Sequence, residues 1–302
     1  MKHTNSIETS QGRFHYYDIG DSDRTIYFCH GNSLSAGSYL PFLQKVADKG
    51  FKVIAPDLRG HGFSTKEKTQ AIKSWDIFIK DVEAFVTAIT KPPMLNQKSQ
   101  ITNPKSIIGM GHSVGGFFVY AAAALYPGLF SRIILLDPII LPPEIILFGA
   151  AIRLMGMERK FWLSRMARNK RFQFASKKDA LKHYSGKGMF RYWLPEFIEA
   201  YVETAITNSA TNNTVSLCCD PELEAMIFES PPLNTWKFAG QIDIPVLLVR
   251  GGTSDMFVHK TGKRLSRMIM DCRLITLEGL SHFMMMEDPD KVISAILCNK
   301  GG

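Results

Sequence analysis

The stretch Gly111-His112-Ser113-Val114-Gly115-Gly116 sets a serine between glycines, and its flanks say what that serine could do. Before it, Ser106-Ile107-Ile108-Gly109-Met110 is a short apolar run that reads as a buried strand. After it, the Ala-rich run from Phe117 to Tyr126 reads as a buried helix. A serine on such a strand-to-helix turn is held at the tip of a sharp bend, ready to attack an electrophilic carbon. The bend brings positions two residues either side of Ser113 so close that side chains there would collide, which accounts for Gly111 and Gly115. It also aims the Val114 backbone N–H toward an oxyanion formed at the serine. The competing reading is a buried turn serine, since the bare G-x-S-x-G pattern also arises by chance.

The elements that would position Ser113 recur along the chain. Arg24 to Cys29 is β-rich and ends at His30-Gly31-Asn32-Ser33, and Lys52 to Ala55 opens into Pro56-Asp57-Leu58-Arg59-Gly60-His61-Gly62. Ser131 to Asp137 and Ile244 to Arg250 are further strands, the second followed by Gly251-Gly252-Thr253-Ser254-Asp255. Arg273 to Leu277 is the last, followed by Glu278-Gly279-Leu280-Ser281-His282. Continuous apolar strands alternating with helical stretches imply an α/β fold with a parallel sheet buried on both faces.

With H-G-N-S, D-L-R-G-H-G-F-S, G-H-S-V-G-G, G-G-T-S-D and G-L-S-H-F in this order, the chain resembles capped serine hydrolases of the α/β-hydrolase fold, in the esterase-like and epoxide-hydrolase-like branch. The resemblance runs from His30 to His282. It implies a mostly parallel central sheet flanked by helices, with a helical cap. A serine hydroxyl needs a base to take its proton as it attacks, and the resemblance places that base at His282. The imidazole needs a carboxylate to fix its tautomer, and the chain order Ser113, Asp255, His282 selects Asp255. Asp137 is a rival, because some relatives keep their acid near that strand end. Asp57 belongs to a turn that is mainly structural.

The resemblance assigns the oxyanion hole to the backbone N–H groups of Asn32 and Val114, worth about 3 kcal/mol each in acyl transfer. His30, Gly31, Phe257 and Phe283 are expected to contact substrate, and the methionines Met284 to Met286 and Met256 either wall the pocket or pack the core. His112, inside the turn, is expected to be packed. His-Gly-Asn also resembles haloalkane dehalogenases, but those and the epoxide hydrolases attack with aspartate. Serine at this position makes an acyl-enzyme instead. Ester hydrolysis with small to medium acyl chains is the expected chemistry, with thioester, lactone or C–C bond hydrolysis on the same triad as alternatives, and a non-enzymatic ligand-binding member of the fold as the remaining one.

Composition bounds the rest. The chain has 302 residues, five cysteines without regular spacing and a net charge of +8, which argues against a disulfide framework or a metal site. The N-terminus has no apolar core of a signal peptide, so a cytoplasmic location is expected. No apolar run is long enough for an integral membrane segment. No cofactor is implied, the partner is a small-molecule ester, no nucleic-acid module is present, and a homodimer stays open. The domain reading is a core over 1–137, a helical cap over 138–235 and a core over 236–302. Cap helices are expected over Glu144 to Met155, Glu158 to Arg171, Lys177 to Tyr184, Pro195 to Ile206 and Pro221 to Phe228. Between Arg153 and Arg191 basic residues outnumber acidic ones heavily. That cluster is read chiefly as a solvated helical face, and alternatively as steering for an anionic substrate or docking on an anionic lipid surface. The polar connection from Lys91 to Lys105 is expected to be a surface excursion.

Overall fold

The computed structural model describes residues 2–66, 72–90, 107–208 and 213–298. The connection from Lys91 to Lys105 lies outside them. Strands β1 (Lys2–Thr9) and β2 (Gly12–Ile19) open the chain, followed by β3 (Thr25–Cys29), β4 (Lys52–Pro56), β5 (Ile108–His112) and β6 (Arg132–Leu136). Three short strands, β7 (Gln173–Phe174), β8 (Ile206–Asn208) and β9 (Val215–Leu217), form a small antiparallel sheet of their own. The chain returns to the main sheet with β10 (Val246–Gly251) and β11 (Cys272–Leu277).

The main sheet has the order β1-β2-β4-β3-β5-β6-β10-β11. It is parallel from β4 to β11, with the β1–β2 hairpin added antiparallel at one edge. Every residue of β3, β5 and β10 is buried, because helices cover both faces. This is the α/β-hydrolase fold that the motifs imply. The hairpin was not legible in the sequence, since β1 is an edge strand of mostly polar residues in which Ile7 is buried.

Helices α1 (Leu40–Ala47), α2 (Asp76–Thr90) and α3 (Val114–Leu125) precede the long insertion between β6 and β10. The insertion holds α4 (Pro143–Leu154), α5 (Trp162–Asn169), α6 (Lys177–Tyr184), α7 (Pro195–Ala205) and α8 (Pro221–Glu229). Last come α9 (His259–Met268), α10 (Met284–Glu287) and α11 (Pro289–Leu297). One face of the sheet packs on α2, α3 and α9, and the other on α1 and α11. Helix α3 is buried from Val114 to Ala124; its alanines let it lie close against the sheet centre, and Phe118 stacks on Phe78 at 5.0 Å.

The insertion is not purely helical, as expected, but carries the three-stranded sheet as well. Strands of two or three residues are too short for an alternating pattern to be read. The expected helix from Glu158 to Arg171 is shorter, with a 3-10 turn over Glu158–Lys160 and α5 beginning only after Phe161 turns extended. Phe197, Ile198 and Tyr201 of α7 join the same apolar cluster as Phe42 and Leu43 of α1, so this part of the insertion shares its core with the sheet.

Candidate active site

The chain steps from β3 outward to β4 and then returns past β3 to β5, so the direction of winding reverses between β3 and β5. Open α/β sheets form their crevice outside the carboxyl ends of the strands at such a reversal. Ser113 sits there, at the end of β5, with φ 59° and ψ −125°. That region is costly for a side-chain-bearing residue and persists only where packing enforces it. The flanking glycines permit it. A Cβ on Gly111 would stand 2.4 Å from the Gly115 carbonyl oxygen, and one on Gly115 equally close to the carbonyls of Cys29 and His30.

His282 Nε2 lies 3.0 Å from Ser113 Oγ. Its Nδ1 donates over 2.7 Å to Oδ1 of Asp137, not of Asp255. The expectation for the carboxylate is therefore corrected. Asp137 follows β6, the strand beside β5, and is wholly buried with φ 45°. Three donors hold it: His282, the Ser254 hydroxyl at 2.6 Å to Oδ1 and the Gly251 N–H at 2.9 Å to Oδ2. In the G-G-T-S-D loop it is Ser254 that turns inward, giving its hydroxyl to the Asp137 carboxylate. Asp255, one residue on, is exposed at the wall of the cavity. The order Ser113, Asp137, His282 still has nucleophile first and base last, so chain order alone could not separate the two acids.

His112 is packed, as expected, but it also connects. Its Nε2–H donates to the His282 carbonyl over 2.9 Å, which fixes the tautomer and leaves Nδ1 to accept from the Tyr39 hydroxyl at 2.6 Å. That hydroxyl in turn accepts from the Gly31 N–H at 3.1 Å. One continuous chain of hydrogen bonds thus joins the loop bearing His282 to the loop bearing Asn32. Burial pushes the His112 imidazole well below the ordinary histidine range, with the neighbouring His282 adding to the effect. Burial likewise lowers His30, and it lowers His61 to about 3. No motif marked Tyr39, which reaches this network from a turn before α1.

The Asn32 side chain is engaged by groups other than the serine. Its Nδ2 donates to the Glu224 carbonyl of α8 at 3.2 Å and its Oδ1 accepts from the Ser33 N–H at 3.0 Å. The Trp75 indole N–H donates to the Ile227 carbonyl, also of α8, at 2.9 Å. Both contacts fasten the insertion to the floor of the site. The Val114 N–H is in the first turn of α3, where a helix has no partner of its own to offer.

Above Ser113 and Val114 lies a cavity of about 650 Å³, within the range of small-molecule sites. Trp75, Ile139, Leu141, Ile145, Ile152, Phe161 and Met256 are among its apolar walls. Of the charged residues lining it, Arg153 is the sole cation among the described residues, and its guanidinium donates to the carbonyls of Glu229 and Pro231. None of the four residues expected to touch substrate lines this cavity. His30 spends both ring nitrogens on backbone, at Gly31 O and Leu58 N, and Gly31 lies against Ser113 and Tyr39. Phe257 is fully buried in the core below, while its neighbours Met256 and Val258 face the cavity. Phe283 packs on the rings of His282, His112 and Trp193, and Met284 to Met286 are core residues.

Fold and site together define a serine hydrolase of the α/β-hydrolase fold. The chain belongs to the family described as Serine aminopeptidase, S33, whose pattern matches residues 20–289. It is 29% identical over 126 residues to a monoacylglycerol lipase of Mycolicibacterium smegmatis, covering 40% of this chain and 41% of that one. It is 28% identical over 122 residues to the monoglyceride lipase of Homo sapiens, covering 40% and 37%. The chain thus matches less than half the length of these relatives. Over whole chains it superposes on E-2-(acetamidomethylene)succinate hydrolase with a TM-score of 0.75 at 18% identity, covering 99% and 98%. The thioesterase domain of the curacin biosynthetic pathway gives 0.75 at 17%, covering 98% and 99%. At that identity the likeness is one of fold. No helix among the described residues is long and apolar enough to cross a membrane.

Proposed function

We propose that the protein hydrolyses carboxylic esters with small to medium acyl chains through an acyl-enzyme on Ser113. The carrying observation is the 3.0 Å approach of His282 Nε2 to Ser113 Oγ at the floor of an apolar cavity. Ser113 Oγ attacks the ester carbonyl while His282 takes its proton, giving a tetrahedral oxyanion. The N–H groups of Val114 and Asn32 receive that charge. His282, held in its tautomer by Asp137, then returns the proton to the departing alkoxide and leaves the acyl group on Ser113. Water enters, His282 takes its proton, and the acid leaves as Ser113 regains its hydrogen.

The cavity lining supports a neutral substrate. Glu144, Glu158, Glu229 and Asp255 border it, and Arg153, whose Nη2 donates to two backbone carbonyls, is the one cation of its lining among the described residues. Four carboxylates border the cavity against one guanidinium, so the charge balance of the lining disfavours a substrate bearing a free carboxylate. The similar proteins named as monoacylglycerol lipases act in the same direction.

A p-nitrophenyl ester series from acetate to palmitate, run on wild type and Ser113→Ala, tests the reading. A rate maximum at short or middle chain length that Ser113→Ala lowers by on the order of 10⁵-fold or more supports it. Wild-type rates in Ser113→Ala would refute the mechanism. Absence of turnover on every ester would move the search to thioester, lactone or C–C substrates.

A further inference from the structure

Helix α4 is apolar on two sides. Ile145, Gly149 and Ile152 border the cavity, whereas Leu147 and Leu154 do not and are 73% and 91% exposed. No residue of α4 is buried, and Glu144 and Arg153 are its only charged residues. A helix that covers a core on one face ordinarily presents polar residues on the other. Here Leu147, Ala151 and Leu154 form an outward stripe at spacings of four and three residues. The stripe is continuous with the cavity mouth, because Phe148 and Trp162 line the cavity and yet are more than half exposed.

Basic side chains stand beside this stripe. Lys160 lies in the turn between α4 and α5, and Arg165 lies on α5 between Trp162 and Met166, both of them exposed. Among the described residues neither meets a carboxylate, whereas Arg168, Lys170, Arg171 and Lys177 are paired with acidic groups. Two cations that meet no carboxylate among the described residues thus lie on the segment that also exposes Met157, Trp162 and Met166.

We infer that α4 and the start of α5 form a docking face for an anionic lipid surface, with Leu147 and Leu154 among the acyl chains and Lys160 and Arg165 at the headgroups. A lipid surface satisfies both features at once. It covers the outward stripe and offers negative charge to the free cations, and it leaves the mouth at Phe148 and Trp162 open to molecules dissolved in the lipid. A folded partner packed on the same stripe would cover that mouth. The inference goes beyond ester hydrolysis, because binding is read without turnover.

Flotation with phosphatidylcholine vesicles, with and without phosphatidylglycerol, tests it on the full chain. Wild type should float with the phosphatidylglycerol vesicles and much less with phosphatidylcholine alone, and added salt should weaken the binding. Lys160→Glu combined with Arg165→Glu should reduce binding to the anionic vesicles roughly tenfold or more. Leu147→Asp combined with Leu154→Asp should abolish it, and both variants should keep wild-type rates on a soluble short-chain ester. The inference is overturned if wild type ignores the anionic vesicles, or if the Leu147→Asp, Leu154→Asp variant floats as well as wild type. It is also overturned if sedimentation shows a wild-type dimer that this variant splits, since the stripe would then join two copies of the chain. Flotation without any esterase activity would instead count against the proposed chemistry and leave the docking face standing.

Discussion

The floor of the site and its roof are built on different principles. On the floor, Asp137 is fully buried and accepts from three donors, and His112 has both ring nitrogens engaged. Each group has one geometry open to it, because an unpaired polar atom at that depth is costly. The part of the roof over the cavity mouth is looser: no residue of α4 is buried, and the turn after it is tied by an exposed ion pair, Arg159 with Glu222. Exposed pairs of that kind contribute little. Chemistry is therefore fixed by the floor, while the roof can vary in what it admits without disturbing the reacting atoms.

The largest effect should come from the carboxylate. Asp137→Asn offers His282 an amide in place of a charge and favours the wrong tautomer, so kcat should fall on the order of 10⁴-fold. Asp255→Asn, a change at the exposed cavity wall, should leave kcat within about twofold. Steady-state kinetics on one soluble ester compares the two directly. Equal losses, or the reverse order, would mean that Asp137 is not the carboxylate that serves His282 in the working enzyme.

The second test is pH. His30, His61 and His112 are held neutral by burial, so their folded pKa values lie below the unfolded value. The unfolded chain then binds more protons below about pH 6.5, and stability falls as pH drops through that value. The slope should approach about 1.4 kcal/mol per pH unit for each such histidine. Urea midpoints at neutral pH and near pH 5 measure it. For His61 the loss should continue down to about pH 3. An unchanged midpoint would show that the floor tolerates charge.

Much of this was legible in the sequence. The elbow is encoded by Gly111, Ser113 and Gly115 because local sterics alone demand those residues, and the parallel strands by unbroken apolar runs. The choice between Asp137 and Asp255 was not, because it turns on which residue of the Gly251–Asp255 loop points inward. That is a matter of one residue of phase, decided by contacts with β6 that lie far off in the chain. Phe257 and Phe283 failed for the same reason: proximity in sequence to Asp255 and His282 does not fix the side a ring takes. The charge cluster looked nearly unopposed within its own segment, yet Glu203, Glu222, Glu224 and Glu229 come back from later helices to pair with much of it.

The smallest predicted effect asks most about the floor. Tyr39→Phe keeps the ring and removes only the hydroxyl that accepts from Gly31 N–H and donates to His112 Nδ1. Two buried polar atoms lose their partner, which should cost about 2 kcal/mol of stability. If that were all, kinetics measured far below the melting temperature would not change. The network, however, ties the Asn32 loop to the loop of His282, whose carbonyl accepts from His112. Loosening it should lower kcat about tenfold while KM stays within about twofold, because the displaced groups act on the transition state rather than on bound ester. Labelling of Ser113 by an organophosphonate should slow by a similar factor. A lower melting temperature with unchanged kcat would reduce the network to a stabilising contact. The difference between floor and roof would then rest on the carboxylate alone.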